Sequence, residues 1–387
     1  MWETIKTPAY VVDEKKLREN LECLHRVEEE TGCHILLAQK AFSMFRVYPL
    51  IGSYLSGTTA SGLYEARLGY EEMKKENHVF APAYKTEDMK ELVTICDHII
   101  FNSFAQFEKH KEIISEYNNS QRENGNRVSI GMRVNPEFST QEGHAIYDPC
   151  APGSRLGVVR AKFPETLPKE IEGLHMHTLC EQDSDDLEAT FNAFEKSFEP
   201  YLKKIKWLNL GGGHHITRPG YDIARLEKCI RAAKEEWKVD VYLEPGEAWA
   251  LNAGFFLTTV LDVLQNGDTR LAILDGSAAC HMPDVLEMPY LPPLLGTDEK
   301  EEGGITVRLG GPTCLSGDVI GDYKFRQVPQ YGDLLMFGDM AIYTTCKNNT
   351  FNGMPLPDIW LRRGDNTMQQ LTEFGYMDFK ERLGSRE

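Results

Sequence analysis

The sequence predicts a (β/α)8 TIM-like barrel followed by a second, mostly β domain. Eight short apolar runs are typical of strands, helical patterns separate most of them, and the pattern changes after about residue 254. Strands that alternate with helices favour a parallel sheet, and eight such units suggest that the sheet closes into a barrel. The 387 residues leave room for a barrel and an extension. The predicted strands lie near residues 34–38, 57–60, 78–82, 98–102, 128–134, 172–177, 207–210 and 240–244.

A strand and a helix are predicted to precede the barrel. Residues 7–13 are typical of a short strand, which we expect to join the C-terminal sheet. Asp13 can cap the helix that follows, and Gly32 is expected to end it. The apolar face of this helix is predicted to consist of Leu17, Leu21, Leu24 and Val27.

These patterns give three predicted regions: residues 1–23 with the N-terminal strand and linker helix, 24–253 with the barrel, and 254–387 with the β domain. An irregular insertion at 136–168 follows the fifth strand, and the polar tail after Arg362 is predicted to be helical. Alternating apolar runs broken by glycine, proline and aspartate indicate strands in the second domain. These runs cover residues 255–263, 271–274, 305–309 and 334–337.

Composition narrows the classes of function. The net charge of -17 argues against nucleic acid and anionic membrane as partners, and it is compatible with a cationic substrate. The nine cysteines include no CxxC pair, which favours reduced thiols over disulfides or a zinc site. The N-terminus lacks a signal-peptide pattern and no apolar run approaches ~20 residues. We therefore expect a cytoplasmic protein that does not span a membrane.

Lys40 stands at the end of the first apolar run of the barrel. A solvated lysine in a strand-to-helix loop is one interpretation. The other is a lysine desolvated in a pocket, where its amine can form a Schiff base with an aldehyde cofactor.

Other unusual residues also follow predicted strands. They lie at the carboxyl end of the barrel strands, where TIM-barrel enzymes carry their active sites. The amides of Gly211-Gly212-Gly213 can approach a phosphate, with the start of the next helix adding a favourable dipole, unless the triplet is only a tight turn. Glu244 can hold the proton on a pyridine nitrogen, or it forms a structural salt bridge.

His175 and His177 alternate at the end of the sixth strand, so both side chains are predicted to lie on one face. They can belong to a zinc site, for which Glu181 is the obvious further ligand nearby in sequence. Alternatively, one imidazole stacks on a cofactor ring and the other is a satisfied core histidine. We expect no metal.

The second domain carries a glycine- and proline-framed loop, residues 310–318, that contains Cys314 and Asp318. Most cysteines are small core residues, but one on a polar, glycine-rich loop is expected to be exposed and reactive. Tyr343 either packs in the core or offers its hydroxyl to a phosphate.

In their order along the chain, these segments resemble the fold-type III pyridoxal-phosphate decarboxylases. That family includes ornithine and diaminopimelate decarboxylases and shares the alanine-racemase-like barrel. The resemblance covers nearly the whole chain. It rests on Thr7-Pro8-Ala9-Tyr10, Lys40-Ala41, the His177 segment, Gly211-Gly212-Gly213, Glu244-Pro245-Gly246, Gly311-Pro312-Thr313-Cys314 and Tyr343-Thr344.

Within this family the chain is most similar to the carboxynorspermidine (carboxyspermidine) decarboxylases. The similarity lies in residues 173–181, 244–248 and 281–290. Glu247 stands where the ornithine and diaminopimelate enzymes have arginine, and Gln39 stands where leucine is usual. The resemblance therefore implies decarboxylation of a small, cationic, carboxylated polyamine to norspermidine or spermidine in polyamine biosynthesis.

The resemblance also implies pyridoxal 5'-phosphate as cofactor and a head-to-tail homodimer. Lys40 is expected to form the Schiff base, and Cys314 to reach the partner's active site and protonate the substrate carbon after carbon dioxide leaves. His177 is expected to stack on the ring and Glu244 to pair with its nitrogen. The full set of cofactor-binding residues is Lys40, His177, Gly211, Gly212, Gly213, Glu244, Gly246 and Tyr343. The carboxylates that are expected to bind the substrate amines are Asp318, Asp284, Glu287 and Glu247.

Five alternatives remain at this point, and one of them is a plain single-barrel cofactor-binding protein, which would lack residues 254–387. The nearest is a decarboxylase of the same fold that acts on diaminopimelate, ornithine or arginine. A racemase would have less use for the Cys314 loop. A non-catalytic regulator would be expected to have lost Lys40 or Cys314, and both are present. The last alternative is a zinc hydrolase in which His175 and His177 bind the metal.

Overall fold

The computed structural model describes residues 2–121, 125, 127–142, 145–297 and 304–384. The chain divides into two compact units: residues 20–249 form one, and the segments 1–19 and 250–387 together form the other. Within the described ranges, none of the helices combines the length and apolarity that a membrane crossing needs.

The first strand and helix of the chain match their prediction. Strand β1 (Ala9–Asp13) leads into helix α1 (Glu14–Thr31). The Oδ1 atom of Asp13 accepts hydrogen bonds from the backbone amides of Lys15 and Lys16, at 3.0 and 3.2 Å, and so caps the helix. The predicted apolar face of α1 is buried, at Leu17, Leu21, Leu24 and Val27.

The unit formed by residues 20–249 is a closed parallel barrel, as predicted. Going round the barrel, β2, β3, β4, β5, β6, β8, β9 and β10 pair in turn, and β10 pairs back to β2. The two-residue strand β7 is an addition paired to β6. The bounds are β2 His34–Ala38, β3 Gly57–Ala60, β4 Glu76–Phe80, β5 His98–Phe101, β6 Ser129–Asn135, β7 Val158–Val159, β8 Ile171–Met176, β9 Trp207–Asn209 and β10 Asp240–Leu243.

Helices separate most of the barrel strands. Their apolar faces are buried, as at Phe191, Phe194 and Phe198 of α6, because only one side of each helix faces the sheet. Ser103 and Asp222 cap α5 and α7 through their side-chain oxygens. The bounds are α2 Tyr48–Ile51, α3 Leu63–Leu68 with a π-helical continuation Gly69–Met73, α4 Thr86–Ile95, α5 Phe104–Ser120, α6 Ser184–Leu202 and α7 Ile223–Trp237. Short 3-10 helices cover Phe45–Val47, Ala145–Tyr147 and Arg160–Lys162.

The other unit is built on one mixed sheet. Strand β1 lies inside this sheet, antiparallel to β11 and parallel to β16, so the N-terminal strand does join the C-terminal sheet. The order is β14-β13-β12-β11-β1-β16-β17, and β15 also pairs with β11. The strands are β11 Gly254–Asn266, β12 Thr269–Leu274, β13 Ile305–Gly310, β14 Val319–Phe325, β15 Leu334–Gly338, β16 Asp358–Arg362 and β17 Met368–Thr372, and the helices are α8 Ala278–His281, α9 Asp284–Glu287, α10 Thr344–Lys347 and α11 Tyr376–Leu383. 3-10 turns cover Trp2–Thr4 and Phe351–Gly353.

The prediction of a helical tail after Arg362 is wrong for its first part. Residues 368–372 form β17, an edge strand paired antiparallel to β16, and only the following residues form α11. Strand β17 lies at the exposed edge of the sheet, and most of its residues are polar. Its sequence therefore shows little of the alternation between apolar and polar residues that predicts a strand.

Candidate active site

Lys40 follows β2 directly, at the carboxyl end of the barrel strands. Its side chain is accessible to solvent, but the protein atoms around the amine lower its pKa. Desolvation is the largest cause and the Arg133 guanidinium adds to it, while Glu244 and Glu65 act in the opposite direction. A lysine with a lowered pKa supplies the neutral amine that reacts with a carbonyl group.

Glu244 is a buried carboxylate at the end of β10. Its Oε1 atom accepts a hydrogen bond of 2.8 Å from the Asn209 side-chain amide, and its Oε2 atom lies 3.4 Å from Nε2 of His175. Burial alone would raise the pKa of this carboxyl group. The His175 charge and these polar contacts outweigh burial and lower the pKa to about 2, so Glu244 stays ionised.

His177 lies just beyond β8 and next to the glycine loop. Its Nδ1 atom is 3.4 Å from the Gly212 amide nitrogen, and its carbonyl oxygen accepts a hydrogen bond of 3.3 Å from Arg133. Burial lowers the pKa of the imidazole well below its usual value, and the nearby cations Lys40 and Arg133 lower it further. His177 is therefore a neutral, flat ring at the barrel mouth.

The triplet Gly211-Gly212-Gly213 has no room for side chains. Gly211 and Gly213 have φ of +72° and +83°, and a Cβ atom on Gly212 would lie 2.5 Å from the Glu244 carbonyl oxygen. The Gly211 amide donates to Asn209. Helix α7, the next helix along the chain, begins at Ile223, and the contribution of its dipole to phosphate binding stays a prediction.

Gly246 and Glu247 lie in the loop after β10 that begins with Glu244. Gly246 is buried, and the Oε2 atom of Glu247 lies 2.5 Å from Nε2 of His215. Burial would lower the pKa of His215, but the hydrogen bond and the charge of Glu247 raise it overall. Glu247 and His215 therefore form a partly buried ion pair.

In the β unit, Cys314 and Asp318 occupy contrasting positions on their loop. Cys314 is exposed. Asp318 is buried and accepts hydrogen bonds from the hydroxyls of Ser277 and Thr313 and from the backbone amide of Ala279. Asp318 thus fixes the loop that carries Cys314, and its contact with a substrate amine stays a prediction.

Asp284 and Glu287 lie on α9, and Lys347 of α10 forms salt bridges with both. The Glu287 bridge spans 3.5 Å, and the Asp284 bridge is shorter. The Lys347 ammonium is also 5.7 Å from the ring centre of Tyr343, a residue with φ of +56°. A tyrosine at positive φ is strained, and such strain is often found at functional sites.

Sequence reasoning missed three residues that shape the barrel mouth. Arg133 is a buried cation, 4.6 Å from the ring centre of Phe80, and its burial lowers its pKa to about 10. Asn209 orients Glu244, and His215 pairs with Glu247. Arg133 is the single charged residue in the apolar run 129–134, and this feature could have identified it. Asn209 and His215 contact residues that are distant in sequence, so local sequence does not reveal their roles.

The zinc alternative gains a ligand that the sequence did not suggest. Ligand atoms of His175, His177 and Glu244 lie within 4.8 Å of one another, so Glu244 rather than Glu181 completes this group. The expectation that no metal binds stays a prediction, and metal analysis of the purified protein tests it.

The residues at the barrel mouth fit pyridoxal phosphate. The Lys40 amine suits its aldehyde, and the ionised Glu244 carboxylate suits a protonated ring nitrogen. His177 offers a flat neutral surface, and the Gly212 backbone is open to a close approach because it carries no side chain. The cofactor chemistry matches this donor set as a whole, whereas each residue's individual contact stays a prediction.

Comparison with known proteins gives a consistent result. The family described as "Pyridoxal-dependent decarboxylase, C-terminal sheet domain" matches residues 9–341. A carboxynorspermidine/carboxyspermidine decarboxylase from Campylobacter jejuni is 40% identical over 98% of this chain and 99% of its own length. A carboxyaminopropylagmatine decarboxylase from Synechocystis is also 40% identical, over 98% of this chain and 96% of its own length.

The fold comparison agrees with the sequence comparison. The crystal structure of carboxynorspermidine decarboxylase from Campylobacter jejuni, in complex with norspermidine, superposes with a TM-score of 0.88 at 38% identity. The match covers 98% of this chain and 100% of that one.

Proposed function

The chain belongs to the pyridoxal-dependent decarboxylases, and from this premise we propose that it converts carboxynorspermidine or carboxyspermidine to norspermidine or spermidine. One observation carries the chemistry: a lysine amine of lowered pKa and a buried, ionised Glu244 share the barrel mouth. Two relatives, each 40% identical over almost the whole chain, support a carboxylated polyamine as substrate.

Bound pyridoxal phosphate supplies the sink for the electron pair that is left when carbon dioxide departs. Lys40 would hold the cofactor's aldehyde carbon through its Nζ atom. The Glu244 carboxylate would hold a proton on the ring nitrogen, and Asn209 keeps that carboxylate oriented. We assign His177 to the ring face, and the backbone of Gly211–Gly213 and Gly246, together with the Tyr343 hydroxyl, to the cofactor's phosphate end.

We propose that the active unit is a head-to-tail homodimer. Cys314 of one subunit would deliver the proton from its Sγ atom to the α-carbon in the partner's site. The exposed position of Cys314 on a loop fixed by Asp318 supports this role, because a general acid must be accessible and held in place.

The amines of the substrate require carboxylates. Glu247 lies in the barrel mouth, and Asp284, Glu287 and Asp318 are the proposed carboxylates of the β unit. Lys347 neutralises Asp284 and Glu287 in this structure, so a substrate ammonium would have to compete with an internal one there. Glu247 is likewise paired, with the His215 imidazole, so a substrate ammonium would have to share that carboxylate as well.

We also propose a cytoplasmic location. All nine cysteines are free thiols, which suits a reducing compartment.

A second candidate substrate has specific support. The Synechocystis relative is as similar to this chain as the Campylobacter one, and its name indicates a substrate that ends in a guanidinium group. Both substrate types share an inner secondary ammonium and differ at the far end. A carboxylate can bind an ammonium or a guanidinium. The residues that contact the far end of the substrate therefore decide between the two substrate types.

The test is carbon dioxide release by the holoenzyme from a matched panel. The panel contains carboxynorspermidine, carboxyspermidine, carboxyaminopropylagmatine, meso-diaminopimelate, ornithine and arginine. Preference for one of the first two supports the proposal, and preference for the third supports the second candidate. Preference for an amino acid would retain the decarboxylase and overturn the polyamine substrate.

A further inference from the structure

Gln39 is a fully buried amide that immediately precedes Lys40 in the chain. The two neighbours differ in environment, because the Lys40 side chain is exposed to solvent and that of Gln39 is not. Burying a side-chain amide costs free energy unless the amide is hydrogen-bonded. The contacts of Gln39 therefore show what this residue holds in place.

The backbone of Gln39 is fixed at both its amide and its carbonyl group. The amide donates a hydrogen bond of 3.1 Å to the Thr59 carbonyl of β3. The carbonyl accepts from the Phe42 amide at 3.0 Å and from the Ser43 hydroxyl at 2.7 Å. These three bonds close the turn that carries Lys40 and attach it to the neighbouring strand.

The side chain of Gln39 connects this turn to helix α2. Its Oε1 atom accepts a hydrogen bond of 3.1 Å from the hydroxyl of Tyr48, the first residue of α2. Both side chains are fully buried, so water cannot replace this bond when one partner is removed. The position of the Lys40 turn is therefore coupled to α2 through a single polar contact.

The continuation of α3 packs against the same amide. A Cβ atom on Gly69, where the π-helical segment begins, would lie 2.4 Å from Thr58 Oγ1 and 3.1 Å from Gln39 Nε2. The Thr58 hydroxyl in turn donates a hydrogen bond of 3.0 Å to Asn77 Oδ1. Gln39 thus belongs to a buried polar group behind the barrel strands, in which close packing restricts its movement.

We propose that Gln39 is a positioning residue for Lys40: with Tyr48, it fixes the backbone from which the reacting amine extends. This inference rests on the role of Lys40 in the proposed function. A lysine amine is carried on a flexible four-carbon chain, so a fixed backbone limits the positions that the amine can reach. Small displacements of a reacting group from its productive position slow a reaction strongly.

A purely structural role for Gln39 predicts a different result. Variants at this contact would then be less stable, but the folded protein would react with pyridoxal phosphate at the wild-type rate. The rate at which folded protein attaches the cofactor therefore separates positioning from stability.

The test measures the rate of covalent attachment of pyridoxal phosphate to the full-length protein after the cofactor has been removed. Absorbance follows attachment, and borohydride reduction with mass spectrometry shows that it occurs at Lys40. Conditions are chosen in which circular dichroism shows every variant to be folded. Gln39→Leu and Tyr48→Phe are each expected to slow attachment by about tenfold or more. The double variant is expected to be no slower than the slower single variant, because both changes remove the same contact.

Tyr84→Phe is the matched control. Tyr84 is another buried tyrosine of the barrel, and its hydroxyl donates a hydrogen bond of 2.8 Å to the Ile100 carbonyl and accepts one of 3.0 Å from the Ala81 amide. The variant loses bonds of the same kind at the ends of β4 and β5, and not at the Lys40 turn. It is expected to attach the cofactor at the wild-type rate.

Three results would overturn the inference and leave the proposed function standing. The first is a wild-type rate in either Gln39→Leu or Tyr48→Phe; if the leucine variant does not fold, Tyr48→Phe, which removes one oxygen atom, decides alone. The second is an equal slowing in Tyr84→Phe, which would mean that general loss of packing is the cause. The third is a double variant in which the two effects multiply, because the residues would then act independently. A wild type that carries no cofactor on Lys40 after reduction would instead mean that the proposed function itself has failed.

Discussion

The Nε2 atom of His175 lies 3.4 Å from the Oε2 atom of Glu244, with both side chains buried inside the barrel. At this distance the contact is mainly electrostatic, and no described residue forms a well-aligned hydrogen bond with either ring nitrogen of His175. The pair keeps a carboxylate ionised where burial alone would neutralise it. That ionised carboxylate is what the proposed chemistry requires.

Glu244→Gln is expected to lower kcat by about 10²–10³, because an amide cannot hold a proton on the ring nitrogen. Lys40 would remain, so the variant should still bind pyridoxal phosphate. Steady-state kinetics and the absorbance of the bound cofactor measure the two properties separately. Wild-type kcat in this variant would remove Glu244 from the mechanism.

Lys40→Ala is expected to abolish both the covalent attachment of pyridoxal phosphate and turnover, because the variant has no amine to react with the aldehyde. Lys40→Arg is the matched control: it keeps a positive charge but is not a nucleophile. Borohydride reduction followed by mass spectrometry shows whether the cofactor is attached. Retained activity in either variant would contradict the account.

Cys314→Ala is expected to keep the cofactor and to lower kcat by about 100-fold or more, or to misdirect protonation, because the general acid is missing. Cys346→Ala is a matched control, since Cys346 is the other exposed cysteine of the β unit. Product analysis by mass spectrometry separates slow from misdirected protonation. Unchanged kinetics and product would mean that another group is the acid.

Mixing the inactive Lys40→Ala and Cys314→Ala proteins is expected to restore activity. In a dimer with shared sites, a hybrid contains one site with both native residues and one with neither, so random exchange gives about a quarter of wild-type activity. The measurement is turnover after subunit exchange in mild denaturant. Persistent inactivity, with hybrids demonstrated by mass spectrometry, would place both residues in the same subunit's site.

Glu76→Gln is expected to change the pH dependence of stability. Burial would raise the pKa of Glu76, but its bonds with His78 and Tyr242, at 2.8 and 2.9 Å, and the charge of His98 lower it to about 2. A lowered folded-state pKa contributes stability above the ordinary value near 4.5, and that stability is lost as the pH falls towards 2. Glu91, on the surface, is the control.

We expect Glu76→Gln to cost on the order of 1–3 kcal/mol at pH 7 and progressively less below pH 4.5. Urea unfolding across pH measures the difference. Glu91→Gln breaks an exposed pair with Arg67 and is expected to have a smaller effect. A pH-independent loss in Glu76→Gln would mean that packing, not charge, explains it.

The barrel was predictable because its strands are continuous apolar runs. Residues 35–38 and 241–243 are buried on both sides in a parallel sheet, so local sequence identifies them. The pairing of the two strands, which closes the barrel, followed from the strand count alone. Polar edge strands such as β17 carry no comparable signal, and this explains the incorrect prediction of a helical tail.

Individual site residues were predictable, but their partners were not. Lys40, Glu244 and the glycine triplet are conspicuous at strand ends. The contacts that tune them come from distant positions: Asn209 and His175 act on Glu244. Likewise, the buried position of Asp318, with three donors around it, depends on tertiary packing that local sequence does not encode.

The most direct test of the central claim is a competition between carboxynorspermidine and meso-diaminopimelate for the holoenzyme, with both products identified by mass spectrometry. The account predicts norspermidine as the main product, with kcat/KM favouring carboxynorspermidine by at least about 100-fold. Lysine as the main product would contradict the polyamine assignment and leave the decarboxylase fold and cofactor in place.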